Sequence, residues 1–491
     1  MNLLDTIAAI STPHGKGGVA MLRVSGADAV AVASRVFRPV GGKALADIPA
    51  RHAAYGAILA PDGSADGTPR EVDDGIATVY RAPASFTGED TVEICCHGGI
   101  LLTQTVLTAL LAAGARQATA GEFTRRAHLN GKLGLSAAES LGALLEAQNE
   151  EQLSLAHAGL HGRLESAVRA AYEKLRTVLS SVLACIDFPD EDLAEMSRED
   201  MQTALRACLD DLTALAATYR TGHAIAEGIP TVICGQTNVG KSSLYNRLVG
   251  HDAAIVTDVA GTTRDVLCET TSLGRVTLRL YDTAGLRETE DTVERIGIER
   301  ARRALGEAEL VLALFDLSRP LSDDERALLR ELSAKGCSDS IGDTGNSNGI
   351  GVGVGKATVI GVLNKADAPV PEAVSRAVEE TVRTALPHTI RLSAHAPDAV
   401  TILRDAIEPL FLDGTLSVRN DAIIADARQN AAILRAIDAL RTGLGTLESG
   451  LPVDLCCVDL ERAMSALGEI DGREVSEDVV SEIFSHFCVG K

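Results

Sequence analysis

The sequence predicts a multidomain α/β protein, in which a domain with a mainly parallel sheet interrupts a discontinuous helical domain that follows an N-terminal α+β domain. Apolar segments near residues 231, 276, 310, 358 and 389 alternate with helical segments, which indicates a parallel sheet covered on both faces. Leucines recur at helical spacing from about residue 135 to 220, and the same texture returns after about residue 420. Neither helical stretch is expected to cover its apolar stripe alone.

The N-terminal region alternates short apolar strands with helices. Strands are predicted at 19–24, 75–80 and 91–96, and a helix at 102–113, which favours an α+β domain. The expected domains are 1–120 (α+β), 121–222 (helical, first part), 223–412 (inserted sheet domain) and 413–491 (helical, second part), with the first join at 222–228.

Composition limits the class of protein. The 491 residues carry 46 basic and 68 acidic side chains, a net charge of −22, which opposes broad nonspecific adhesion to nucleic acid. No apolar run reaches the ~18 residues of a membrane span, and no signal sequence is visible, so we expect a soluble, cytoplasmic protein. The 10 cysteines show no C-x-x-C spacing, and most are expected to be small buried hydrophobes.

The most informative motif is GQTNVGKS at residues 235–242, directly after the apolar run 229–234. A glycine-rich turn between a strand and a helix exposes backbone N–H groups that hold phosphates, at the positive end of the helix. We expect Lys241 to reach the β- and γ-phosphate oxygens and the Ser242 hydroxyl to bind Mg²⁺.

Two further motifs, DTAG at 282–285 and NKAD at 364–367, follow predicted strands in the right order. Asp367 can accept hydrogen bonds from N1–H and the exocyclic amine of guanine, a donor pair that adenine lacks. A buried carboxylate left unpaired is costly, so we expect ATP to be rejected by a factor on the order of 10⁴. Asn364 and Lys365 are expected to support the loop. The motifs together predict a GTP-binding protein.

The position after DTAG is Leu286, which cannot orient a water molecule as a glutamine does. The candidates for that role are the downstream carboxylates, and spacing does not choose among them. They are Glu288, Glu290, Asp291 and Glu294. Upstream, Thr263 is placed to close over Mg²⁺ and the γ-phosphate. The positive charge that phosphoryl transfer needs would come from Arg264, Arg287 or a bound cation.

Segments along nearly the whole chain resemble the bacterial tRNA modification GTPases called the MnmE or TrmE family. The resemblance lies in Asn238, in VTDVAGTTRD (256–265), in DTAGLRETEDTVERIGIER (282–300) and in the C-terminal FCVGK (487–491). Three N-terminal segments share it, at 5–26, 85–99 and 121–133. Because three separate domains agree, the combination is highly specific.

The resemblance implies a potassium ion that takes the place of an arginine finger. Its ligands would be Asn238, Thr257, Val259 and Thr262, and Glu294 would orient the attacking water through a bridging water. The ion would also order the 257–263 loop and let two nucleotide domains dimerise.

The same resemblance gives a full set of residues around GTP and Mg²⁺, with Ser242 and Thr263 as the magnesium ligands. The nucleotide-binding positions are Asn238, Val239, Gly240, Lys241, Ser242, Ser243, Thr257, Asp258, Val259, Ala260, Gly261, Thr262, Thr263, Asp282, Thr283, Ala284, Gly285, Asn364, Lys365, Ala366, Asp367, Ser393, Ala394 and His395.

The N-terminal domain of the family binds a reduced folate that donates one carbon, as a 5-formyl or 5,10-methylene tetrahydrofolate derivative, and it forms the constitutive homodimer. Arg23, Glu93, Lys132 and the C-terminal Lys491 match the folate-contacting positions. From the residues alone, an ordinary surface ion pair is the favoured reading of each. Cys488 is either a catalytic thiol or a small apolar anchor for the tail.

The implied function is a K⁺-dependent GTPase that works with an FAD-containing MnmG or GidA partner in a heterotetramer. It would add an aminomethyl or carboxymethylaminomethyl group to C5 of the wobble uridine of certain tRNAs. Two alternatives stay open at this point. One is a ribosome-assembly GTPase, although no basic RNA-binding appendage is visible, and the other is a folate enzyme with a regulatory nucleotide domain.

Overall fold

The computed structural model describes residues 5–61, 69–187, 196–251, 268–281, 308–336, 357–473 and 475–490. They form two compact units. The first comprises residues 1–145, 159–166 and 465–491, and the second comprises 146–158 and 167–464. Each unit has its own sheet and its own apolar core.

The described strands and helices are numbered along the chain. The strands are β1 (Ile7–Ile10), β2 (Gly17–Ser25), β3 (Phe37–Pro39), β4 (Ala53–Pro61), β5 (Pro69–Tyr80), β6 (Thr91–Gly98), β7 (Arg116–Gln117), β8 (Ile229–Gly235), β9 (Cys268–Leu273), β10 (Val276–Tyr281), β11 (Leu310–Asp316), β12 (Thr358–Asn364) and β13 (His388–Arg391). The helices are α1 (Ala29–Val36), α2 (Ile100–Ala112), α3 (Glu122–Leu129), α4 (Leu135–Glu146), α5 (Glu150–Leu160), α6 (Arg163–Asp187), α7 (Arg198–Ala217), α8 (Tyr219–Ala226), α9 (Lys241–His251), α10 (Asp323–Gly336), α11 (Glu372–Ala385), α12 (Ala399–Phe411), α13 (Ala427–Glu448), α14 (Cys457–Asp471) and α15 (Glu477–Ser485).

The first unit is built on a seven-stranded sheet in the order β3-β4-β5-β6-β2-β1-β7, antiparallel except where β1 meets β7. Along β2, Ala20, Leu22 and Val24 are buried against α1 and α2, and the alternation of the strand turns Arg23 to the opposite face. The predicted strands are confirmed as β2, β5 and β6, and the predicted helix as α2.

The C-terminal tail belongs to this first unit. Phe484 and Phe487 pack with Leu135 in a small apolar cluster. Val489 then forms an antiparallel bridge with Ala120. Ala120 follows shortly after β7, the strand that pairs with β1. The tail therefore adds one bridge at the edge of the sheet, just beyond β7.

The sheet of the second unit has the order β13-β12-β11-β8-β10-β9. Its strands are parallel except for β9, which pairs antiparallel with β10 at one edge. Along β11, Leu310, Leu312 and Leu314 enter one buried cluster, and Val311 and the other alternate residues enter a second. The alternation confirms the predicted parallel sheet with two covered faces.

Helices from distant parts of the sequence pack together in the second unit. Arg198, at the start of α7, donates a hydrogen bond of 2.8 Å to the carbonyl oxygen of Leu447 near the end of α13. Arg206 and Glu448 of the same two helices form an ion pair of 2.7 Å. This pairing confirms that the helical domain is discontinuous and that the sheet domain is inserted in it.

The helical repeat around residue 160 divides into two helices, because Gly162 adopts a φ of 71° between α5 and α6. Leu164 and Val168 are buried, as the repeat predicts.

Both ends of the insertion meet at α8. The backbone N–H of Ile424 donates to the Thr218 hydroxyl at 3.1 Å, and the Thr221 hydroxyl donates to the carbonyl oxygen of Phe411 at 3.2 Å. A side chain at Gly222 would place its Cβ 2.1 Å from the Ile424 carbonyl oxygen. The chain therefore enters and leaves the inserted domain at one place.

Among the described residues, no helix combines the length and the apolar composition needed to cross a bilayer. The cysteines in these ranges form no disulfide, and Cys96, Cys208, Cys456 and Cys457 are buried. Burial raises the pKa of the Cys208 thiol to about 11, so it behaves as a small apolar side chain. This agrees with the interpretation of the cysteines from the sequence.

Candidate functional site

The phosphate loop connects the end of β8 to the start of α9. Gly235 and Gly240 adopt φ angles of 145° and 102°, and Asn238 adopts a φ of 64°. These left-handed conformations bend the chain sharply enough to turn backbone N–H groups toward one point. A Cβ at Gly240 would lie 2.1 Å from the Asn364 side-chain nitrogen, so only glycine fits this position.

The Lys241 side chain folds back onto the phosphate loop. Its Nζ donates hydrogen bonds to the carbonyl oxygens of Gly235, at 2.8 Å, and of Gln236, at 2.7 Å. Burial lowers the pKa of Lys241, because the ammonium group has lost much of its water. A desolvated cation at a helix N-terminus is an arrangement suited to bind phosphate. Ser242 is exposed and Ser243 half-buried in the first turn of α9.

Asn364 is the residue that joins the separate motifs. Its side chain is buried at the end of β12, where Nδ2 donates to the carbonyl oxygen of Val239 at 2.7 Å. Its Oδ1 accepts a hydrogen bond of 2.9 Å from the backbone N–H of Ala394. One amide therefore connects the phosphate loop, the NKAD segment and the residues that follow β13.

Lys365 adopts a φ of 62° and forms an ion pair of 2.6 Å with Asp316 at the end of β11. Burial of Asp316 would raise its pKa, but hydrogen bonds from Lys365 and Ser318 outweigh that effect and hold the pKa below its usual value. Ala366 donates from its backbone to the Leu392 carbonyl oxygen at 3.2 Å. The loop is thus held to three neighbouring strand ends.

Asp367 lies on the surface, which corrects the expectation of a buried carboxylate. A hydrogen bond from the Ser393 hydroxyl lowers its pKa, so it is ionised at neutral pH. Ser393 and Ala394 are buried, and His395 is exposed beside them. The carboxylate is exposed because it projects from a loop beyond the sheet edge. Selectivity for guanine must therefore depend on how a bound base covers it.

Many of the sequence-predicted site residues lie outside the described residues. Among them are the 257–263 segment, DTAG at 282–285, Leu286 and the carboxylates that follow it. The others are Arg264, Arg287 and Lys491. The assignments made for them stay predictions.

A second polar site lies on the sheet of the first unit. Arg23 of β2 and Glu93 of β6 are directly opposite in register, and Arg23 donates to Glu93 Oε1 from Nε at 3.0 Å and from Nη2 at 2.7 Å. The Arg23 guanidinium lies 5.2 Å from the centroid of the Phe86 ring. Burial, followed by the charge of Glu93, raises the pKa of Tyr80 on the adjacent strand.

Lys132 is exposed, and its Nζ donates to the Pro83 carbonyl oxygen at 3.0 Å. Pro83 begins the loop that carries Phe86 over Arg23, so the structure brings Lys132 to the same loop. Cys488 is exposed in the tail that docks beside β1.

The sequence analysis did not identify Asp316, Tyr80 or Phe86. Asp316 had a usable signal, because it ends an apolar strand at the same sheet edge as the NKAD motif. The two aromatic residues had none, since the position of Phe86 over Arg23 and that of Tyr80 near Glu93 depend on contacts between segments far apart in sequence.

Comparison with known proteins agrees with this geometry. A family model described as "GTP-binding protein TrmE N-terminus" matches residues 6–132, and one described as "MnmE helical domain" matches residues 135–488. The tRNA modification GTPase MnmE of Symbiobacterium thermophilum is 39% identical over 487 residues, covering 99% of each chain. That of Lactiplantibacillus plantarum is 38% identical, covering 99% of this chain and 98% of its own. That of Geobacillus thermodenitrificans is 38% identical over 492 residues, covering 100% of both.

Proposed function

This chain belongs to the MnmE family of tRNA modification GTPases, and we propose that its GTP hydrolysis is activated by potassium and serves modification of the wobble uridine. It is a GTP hydrolase acting in tRNA modification. The observation that carries the nucleotide part is the pair of hydrogen bonds made by Asn364, because they join the phosphate loop to the guanine-reading segment.

The residues of the phosphate loop fit the ions we propose. Asn238 is exposed in a left-handed conformation, and its amide oxygen is a neutral hard donor of the kind that K⁺ prefers. Asn238 would hold K⁺ together with Thr257, Val259 and Thr262. The exposed Ser242 hydroxyl at the start of α9 would hold Mg²⁺ together with Thr263. When bound, the two cations neutralise charge on the phosphates.

The protein's own groups perform the remaining tasks. Lys241 leaves its two carbonyl partners to bind phosphate oxygens, which it does readily because it is poorly solvated. Asp367 accepts the two guanine donors through its carboxylate, whose pKa the hydrogen bond from Ser393 lowers further. We assign to Glu294 the orientation of the attacking water.

The first unit fits a reduced folate in the chemistry of its side chains. Arg23, Lys132 and Lys491 offer cations for the glutamyl carboxylate, Glu93 offers an acceptor for pterin N–H groups, and the Phe86 ring is 39% exposed. When bound, the folate supplies one carbon. We propose that this carbon becomes the methylene attached to C5 of the wobble uridine.

We further propose a homodimer that works in the cytoplasm with an FAD-containing partner of the MnmG or GidA type. The FAD of the partner would supply the redox chemistry. The tRNA is the shared substrate of the two proteins. The net charge of −22 supports a partner-assisted complex, because this chain alone attracts RNA poorly.

The decisive experiment is GTP turnover in KCl against NaCl at equal ionic strength. We expect turnover at least ~10-fold faster in KCl, because an ion bound by Asn238 must match the size of its ligand cage. Equal rates in the two salts would remove the potassium proposal. Glu294→Ala is expected to bind GTP normally and to lose turnover, whereas Glu299→Ala, a nearby carboxylate, is the control.

The tRNA part needs its own measurement. Mass spectrometry of tRNA nucleosides from a deletion strain should show loss of the modified wobble uridine, and the wild-type gene should restore it. Unchanged nucleosides would reject the wobble-uridine assignment while leaving the GTPase assignment intact.

A further inference from the structure

Arg126 of α3 is among the largest fully buried side chains among the described residues, with 1% of the side chain exposed. Its Nη1 donates to the Asp5 carbonyl oxygen at 2.8 Å and to Glu89 Oε1 at 3.2 Å. Its Nη2 donates to Asp5 Oδ1 at 2.7 Å and to Glu122 Oε1 at 3.1 Å. One guanidinium therefore pairs with three carboxylates, of which Glu122 is buried and Asp5 and Glu89 are partly exposed. Arg116 also pairs with Asp5 and Glu122, so Glu89 is the carboxylate that depends on Arg126.

Stability alone does not explain this arrangement. The Arg126 Nε is buried without a hydrogen-bond partner among the described residues, so part of the cost of burial is not recovered. Buried ion pairs are often no more stabilising than apolar residues of the same shape. A buried ion pair can instead fix a particular geometry, and the contacts of Glu89 indicate which geometry Arg126 fixes.

Glu89 links Arg126 to residues beside Arg23. Its Oε2 accepts a hydrogen bond of 2.8 Å from the Ser25 hydroxyl. Ser25 pairs in register with Thr91, as Arg23 pairs with Glu93. Because side chains alternate along a strand, the two pairs share one face of the sheet and are neighbours on it. The Arg126 cluster thus reaches the pair adjacent to the Arg23–Glu93 ion pair.

The loop of residues 83–89 is held by groups that directly follow α3. Asn130 donates from Nδ2 to the Thr87 carbonyl oxygen at 2.7 Å, and Lys132 donates from Nζ to the Pro83 carbonyl oxygen at 3.0 Å. Arg126 holds the C-terminal end of the same loop. Helix α3 and the residues that follow it therefore hold the loop at three points.

We propose that Arg126 is a positioning residue for the folate site, and this inference rests on the folate binding proposed above. Through Glu89 it fixes the 83–89 loop, so that Phe86, Arg23 and Lys132 face the reduced folate in one rigid arrangement. Without the Arg126 guanidinium, Arg116 still pairs with Asp5 and Glu122, but Glu89 loses its cation, so the loop is free to move away from Arg23.

The test is binding of 5-formyltetrahydrofolate to the full chain, measured by calorimetry beside GTP affinity and melting temperature. Arg126→Met should weaken folate binding at least ~10-fold and leave GTP affinity within about twofold, because the second unit holds the nucleotide. Arg126→Lys should recover most of the folate affinity. Arg35→Met is a control for loss of an arginine elsewhere in the first unit, where exposed Arg35 donates to the Ala113 carbonyl oxygen.

The outcomes separate cleanly. Wild-type protein that does not bind the folate rejects the proposed folate site itself. A folded Arg126→Met variant that binds within about twofold of wild type, even with a lower melting temperature, shows a merely structural role and overturns the inference. If that variant does not fold, Glu89→Gln decides, since it keeps the hydrogen bond to Ser25 but loses the charge. A loss of ~5-fold or more supports the inference, and a smaller loss overturns it.

Discussion

The side-chain amide of Asn364 donates to the carbonyl oxygen of Val239 at 2.7 Å, across 125 residues of sequence. The NKAD segment is thereby fastened to the phosphate loop. Since the segments proposed to bind the base and the phosphates share this buried amide, base recognition and phosphate binding should depend on each other.

Asn364→Ala should weaken GTP and GDP binding together, by ~10 to 100-fold. The change leaves the Val239 carbonyl and the Ala394 N–H without partners, and each such buried group costs about 1–3 kcal/mol. Stopped-flow titration with fluorescent GTP and GDP measures the effect. Asn430→Ala, in the helical domain, is the control, and similar losses in both variants would contradict the prediction.

Asp367→Asn should exchange nucleotide preference. The amide donates where the carboxylate accepted, so GTP affinity should fall about 100-fold or more while XTP, whose base carries a carbonyl in place of the amine, binds better. Competition between GTP and XTP reports the exchange. Asp405→Asn, an exposed carboxylate on α12, should leave the ratio unchanged. A parallel loss of both nucleotides would point to a broken loop instead.

Gly240→Ala should nearly abolish nucleotide binding. The added methyl group would lie 2.1 Å from Asn364 Nδ2, at a φ of 102° that side chains rarely adopt. We expect a loss of roughly 2–4 kcal/mol in stability of the inserted domain as well. Gly250→Ala is the control, because nothing lies within 4 Å of the added group. Denaturant unfolding and GTP titration of both variants decide the point.

The free energy of unfolding should depend on pH through the contact between His223 of α8 and Glu309, which precedes β11. His223 lies 3.5 Å from Glu309, whose hydrogen bond raises the pKa of His223 above 6.5 although burial lowers it. A raised folded-state pKa means that the stabilisation is complete below the unfolded value and disappears as pH rises through the folded one. Glu309→Gln should therefore cost at most about 1 kcal/mol near pH ~6 and nothing near pH ~9.

The control for this titration is Glu448→Gln, because its partner Arg206 keeps its charge across the range. Melting temperatures of both variants across the interval give the comparison. A Glu309→Gln effect that stays constant with pH would exclude His223 as the titrating group.

Some strands can be predicted from the local sequence pattern, and others cannot. Strands β8, β11 and β12 are predicted because buried parallel strands are nearly continuous apolar runs. Strands β10 and β13 are also predicted, although their sequences, VTLRLY and HTIR, are less apolar. Strand β9, Cys268–Leu273, is missed, since it is a polar edge strand whose stability comes from hydrogen bonds to β10. Strands β1 and β7 are missed because they are short and depend on neighbours remote in sequence.

The motif residues and their order specify the nucleotide chemistry and the family, because phosphate loops and NKAD segments work through local backbone geometry that a few adjacent residues dictate. Folding adds what no spacing encodes. It pairs Asp316 with Lys365, leaves Asp367 exposed and encloses Arg126 among Asp5, Glu89 and Glu122. Those relationships depend on strand register and on helix packing between residues that are tens to hundreds of positions apart. Buried charged groups form specific ion pairs only after tertiary packing has excluded water from around them.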